Sequence, residues 1–90
     1  MKAVLKEVGK EPRVIEIENT LEAFQKVVGG YIEVLSVGNS ILLICNEEGK
    51  LNGLEPNFSI GYDVIVGNAL FVKEGEDGEF ADFEESEKIF

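Results

Sequence analysis

Residues 28–57 read VGGYIEVLSVGNSILLICNEEGKLNGLEPN, and this stretch decides the fold. Gly29 and Gly30 follow an amphipathic segment and end it, because glycine takes the left-handed conformation that closes a helix without steric cost. Residues 31–35 and 41–45 then read as two strands joined through Gly38, Asn39 and Ser40. The second of these, ILLIC, is apolar on both faces. A strand with two apolar faces belongs in the middle of a sheet, with a helix on one side and more protein on the other. Asn46, Glu47, Glu48 and Gly49 form a polar turn, with the glycine placed for positive φ. Residues 51–56, interrupted by Gly53, read as a loop holding at most a brief strand.

Working outward, residues 3–8 and 13–17 read as a β-hairpin through the turn residues Gly9 to Pro12. A short helix follows. Asn19 with Glu22 resembles a capping box, and Leu21, Phe24 and Val28 form the buried stripe. Lys26 in its last turn suits the helix dipole. Such a short helix needs a sheet to pack on. Residues 63–72 are a second apolar run, with Gly67 signalling a bulge or sharp bend. Asp77-Gly78 signals a hairpin turn that returns residues 80–83 as a strand, and a short helix or frayed end follows over 84–90. The pattern predicts one α+β domain over residues 1–90: a curved antiparallel sheet of about five to seven strands with one main helix packed on it. Gly67 and the two buried strands leave partial closure into a barrel open.

Ninety residues at 44% apolar content suit one folded domain. A chain this size buries only about 60–65% of its unfolded surface, so self-association into a homo-oligomer is a natural source of extra stability. No run approaches a membrane span, and the N-terminus lacks a signal-peptide core, which points to the cytoplasm. The lone Cys45 agrees with a reducing compartment, and as the end of a buried strand it reads as an inert core thiol.

The net charge is −10. Eight acidic residues and one lysine fall between Glu74 and Lys88, while the rest of the chain has ten acids and seven bases. Direct binding to nucleic acid is disfavoured, since little here could displace counterions from phosphates. The chain has no histidine, which removes Ser-His-Asp and Cys-His sites and histidine-ligated metal centres. No glycine cluster has phosphate-loop or dinucleotide spacing. Neither a cofactor nor a metal is expected, and the chain reads as a non-enzyme.

Two sets of residues carry the functional expectation. Asn46, Asn57, Tyr62 and Asp63 are polar groups at strand ends and loops, where a rigid sheet can present a ligand site. The competing reading is local backbone capping by Asn and Asp. Glu74, Glu76, Asp77, Glu79, Asp82, Glu84 and Glu85 form an acidic segment that could meet a protein partner by imitating a nucleic-acid backbone. Its competing readings are a solvated hairpin or a cation site, and it lacks the spacing of the twelve-residue calcium loop.

The chain resembles a family of small proteins grouped as a domain of unknown function, found in low-GC Gram-positive bacteria, their phages and mobile elements. The resemblance rests on GKEP at 9–12, TLEAFQKVVGGYIEV at 20–34, CNEEGKLNGLEPN at 45–57 and DVIVGNALFV at 63–72. It spans nearly the whole chain. The stretch between Asn57 and Asp63 is shorter than the charged loop that relatives often carry, and the C-terminal helix is curtailed at Phe90. The resemblance transfers no catalytic residue. It implies an accessory role in phage or plasmid biology, such as an inhibitor or mimic acting on a host protein. The alternatives are a protein that binds or sequesters a small, nucleotide-like molecule and, with least support, a carboxylate-only enzyme.

Overall fold

The computed structural model describes residues 1–84. Glu85 and the body of the expected terminal helix lie outside them. The elements in chain order are β1 (Lys2–Lys6), β2 (Arg13–Glu16), α1 (Leu21–Val28), β3 (Ile32–Ser36), β4 (Ile41–Asn46), β5 (Pro56–Ile60), β6 (Asp63–Val66), β7 (Ala69–Glu74) and β8 (Phe80–Ala81). The larger sheet has the order β2-β1-β7-β4-β3, with β8 added to β7, and every pairing is antiparallel. β5 and β6 form a separate two-stranded sheet. The fold is therefore α+β, as the sequence predicts.

The larger sheet is open, and this corrects the expectation of partial barrel closure. β2 and β3 are its ends. Gly67, which was expected to curl one sheet, instead carries the chain from one sheet into the other at φ 74°. The apolar run 63–72 is thus two strands in two layers. A Cβ on Gly67 would come 2.8 Å from Leu54 Cδ1, so this bend also excludes a side chain by packing.

The larger sheet is covered on both faces. Leu42 and Ile44 of β4 and Leu70 and Val72 of β7 join Phe24 and Val28 of α1 in one core. Their neighbours Ile41, Leu43, Cys45, Ala69 and Phe71 face the other way, toward Ile65 and the partly buried Phe58 and Ile60 of the β5–β6 hairpin. Alternate side chains of a strand point to opposite faces. That is why β4 and β7 must be apolar throughout.

The helix begins one residue later than expected. Thr20 is the N-cap, its Oγ1 accepting the Ala23 N–H at 3.2 Å. Asn19 and Glu22 therefore form no capping box, although Glu22 still lies in the first turn, where its charge suits the dipole. Leu21 is also out of the buried stripe at 56% exposure, and Val27 packs with Phe24 and Val28 instead. Gly29 closes the helix at φ 81°, donating its N–H to the Gln25 carbonyl at 2.8 Å.

Two further expectations change. Gly49 is not at positive φ. Its requirement is space, since a Cβ there would lie 2.7 Å from Val66 Cγ2. β5 occupies a stretch without a clear strand pattern, because Asn57 and Ser59 dilute its apolar residues. Pro56 opens it, the position at which proline removes no needed ladder bond. Among the described residues, no helix is long and apolar enough to cross a membrane.

Candidate functional site

Two of the four residues of the expected polar set, Asn46 and Asn57, bond across the fold. Asn46 is buried at the end of β4. Its Nδ2 donates to the Val28 carbonyl at 3.0 Å, and its Oδ1 accepts the Glu48 N–H at 2.8 Å. It therefore ties the end of α1 to the loop after β4. Gly30 leaves room for this tie, because a Cβ there would lie 3.0 Å from Asn46 Nδ2.

Asn57 plays the same part elsewhere. Its Nδ2 donates to the carbonyls of Lys6 and Gly67, both at 2.8 Å, and its Oδ1 accepts from Lys6 Nζ at 2.8 Å. One side chain thus joins the end of β1, the start of β5 and the bend before β7. Tyr62 is fully exposed at the β5–β6 turn. Asp63 pairs with Lys50 at 2.6 Å, and that hydrogen bond holds its carboxyl below the usual carboxylate range. Both partners are exposed, so the pair contributes little stability. Asn46 and Asp63 line one small cleft of about 130 Å³, and Asn57 and Tyr62 do not.

Cys45 lines the same cleft, 3% exposed, with Sγ 3.9 Å from Glu33 Oε1. Burial, then the nearby carboxylates of Glu33 and Asp63, push its thiol up to about 11. A thiol is nucleophilic as the thiolate, so this group is inert near neutral pH. Native protein at pH 8 will resist a thiol-specific reagent, whereas denatured protein will react fully. Rapid labelling of the folded chain would contradict this placement.

The acidic segment also has structural duties. Asp77 Oδ1 accepts the Glu79 N–H at 3.0 Å and shapes the turn into β8. Asp82 Oδ1 accepts the Lys2 N–H at 2.9 Å and fixes the chain beside β1. Glu74, Glu76, Glu79 and Glu84 are exposed. Among the described residues, no group of three or more His, Cys, Asp or Glu could hold a metal ion.

A larger concavity lies elsewhere, between α1 and the 46–52 loop. It is an open groove of about 560 Å³ walled by Glu22, Gln25 and Lys26 on the helix and by Tyr31, Glu48 and Asn52 opposite. Gly30 and Asn46 also line it. The Asn46–Val28 contact ties its two walls together, while Glu47 N–H to the Tyr31 carbonyl at 2.8 Å and Asn52 N–H to the Glu48 carbonyl at 2.9 Å brace the wall opposite the helix. Tyr31 is 66% exposed. Among the described residues, no hydrogen bond or ion pair engages the side chains of the six wall residues. The sequence pattern marks Tyr31 only as the start of a strand. The groove depends on the contact between residues 28 and 46, a pairing that periodicity does not reveal.

A family model described as a domain of unknown function, DUF3846, matches residues 1–90. No curated protein and no solved structure matches the chain.

Proposed function

The chain belongs to the DUF3846 family, and we propose that it is a non-enzymatic binding protein whose recognition surface is the groove between α1 and the 46–52 loop. The carrying observation is that six polar or aromatic side chains line this groove, the exposed Tyr31 among them, and none has a hydrogen-bond or ion-pair partner among the described residues. Side chains without a hydrogen-bond or ion-pair partner among the described residues, held on walls that are tied together, are available for recognition. The lack of histidine and the buried, protonated Cys45 support a non-catalytic role. The sequence resemblance adds an accessory role in phage or mobile-element biology, acting in the cytoplasm on a host protein. The net charge of −10 would speed encounter with a basic partner.

A second reading is a small-molecule binder. The groove of about 560 Å³ favours it, being within the range of small-ligand sites. A carboxylate-only enzyme has less support, because Glu22 and Glu48 are both exposed rather than held in a desolvated pocket.

Affinity capture from host lysate tests the proposal. A partner retained by the native chain should be lost from a Tyr31→Ala/Glu48→Ala double variant and kept by a Glu74→Gln/Glu76→Gln/Glu79→Gln variant. Equal retention by the native chain and the groove variant would rule the groove out.

A further inference from the structure

We infer that the groove takes an arginine side chain presented by an extended segment of a protein partner, its guanidinium lying on the Tyr31 ring with Glu22 on one wall and Glu48 on the other. This rests on the binding reading above and adds the chemistry of what is bound.

The charges of the groove select the ligand. Glu22 projects from the helix wall and Glu48 from the loop wall, and neither has an ion-pair partner among the described residues. The chain uses other cations internally: Arg13 and Lys10 pair with Glu7, Lys50 with Asp63, and Lys6 bonds Asn57. An anionic ligand would meet two carboxylates of the same sign. A neutral ligand would strip water from them without replacing it. A cation satisfies both, and the exposed face of an aromatic ring attracts it further. Arginine fits better than lysine, because its planar fork matches carboxylates and stacks on a ring.

A polypeptide source follows from the neighbouring strand. β3 begins one residue after Tyr31 and pairs only with β4 among the described residues. Its outer edge offers unpaired backbone groups to an extended chain. Lys26 is the one discordant wall residue, a cation one helical turn after Glu22 on the same face. It must weaken the site, which gives the inference a signed prediction.

Isothermal titration calorimetry on the full chain tests this with four probes: a short capped peptide carrying two arginines, its citrulline counterpart, spermidine and adenosine. The arginine peptide should bind, and the citrulline peptide should bind about tenfold more weakly. Tyr31→Ala and Glu48→Gln should each weaken the arginine peptide about threefold, and Lys26→Gln should tighten it about threefold. These positions are exposed, and circular dichroism checks that each variant keeps the fold. Equal binding of arginine and citrulline peptides would overturn the cationic assignment and leave the binding reading standing. Tighter binding of spermidine than of the peptide would overturn the polypeptide source. Binding of adenosine alone would overturn the inference in favour of the small-molecule reading. Arginine binding indifferent to all three substitutions would overturn its location, and no heat from any probe would overturn the inference outright. The proposed function falls separately, if lysate capture also shows no dependence on the groove.

Discussion

Phe71→Ala will lower the unfolding free energy by about 3–5 kcal/mol, the cost of emptying a large, closed core site. Phe71 is fully buried in β7, with Val4 opposite on β1 and Leu43 opposite on β4. Its ring meets that of Phe58 at 5.6 Å between centroids, which joins the central strand to the β5–β6 hairpin. An isolated two-stranded hairpin is marginal in water, so β5–β6 depends on such contacts for its order. Small domains are stable by only about 5–15 kcal/mol in total, so this one change removes a large share. Urea unfolding followed by circular dichroism should show a lower midpoint at an unchanged slope. Phe58→Ala should cost less, because Phe58 is only partly buried. A loss below about 1 kcal/mol for Phe71→Ala would mean that the hairpin does not pack on β7 as described.

Asn57→Ala should cost about 2–4 kcal/mol, far above the ±0.5 kcal/mol typical of a surface loop substitution. The alanine would leave the Lys6 and Gly67 carbonyls without their donor and Lys6 Nζ without its acceptor. The site is half-buried, so water can reach part of it, and the lower end of that range is expected. Asn57→Asp separates the roles of the two ends of the amide. It keeps an acceptor for Lys6 but turns a carboxylate toward two carbonyls, so it too should destabilise. Thermal and urea unfolding measure both variants. A near-neutral Asn57→Ala would return this residue to the list of candidate ligand groups.

The parts of the fold that were legible in the sequence are those encoded by local pattern. The double-sided apolarity of 41–45 placed β4 in the middle of the sheet, Gly29 marked the helix end, and Asp77-Gly78 marked the last turn. Thr20 and Asn19 are both good caps, and local pattern could not choose between them. β5 was hidden because its apolar residues, only partly buried, are supplied one at a time between polar ones. The open sheet was hidden because a glycine bend reads the same whether it curls one sheet or links two.

The polar residues show the same division. Asn46 and Asn57 look in sequence like groups awaiting a ligand. Their partners lie 18 and 51 residues away, at Val28 and Lys6, and those bonds tie both side chains into the fold. The groove residues Glu22, Tyr31 and Glu48 look like ordinary surface, and they line one groove only because the Asn46 contact brings α1 against the 46–52 loop.

We propose this groove as the recognition surface, in place of the polar residues at 57–63 and the acidic segment. Amide chemical-shift mapping of the ¹⁵N-labelled chain against the arginine peptide tests it most directly. The shifts should centre on Gln25, Gly30, Tyr31, Glu48 and Asn52 and leave Asn57 and Asp63 in place. Shifts centred on 57–63 or on 74–84, with Tyr31 unmoved, would contradict it.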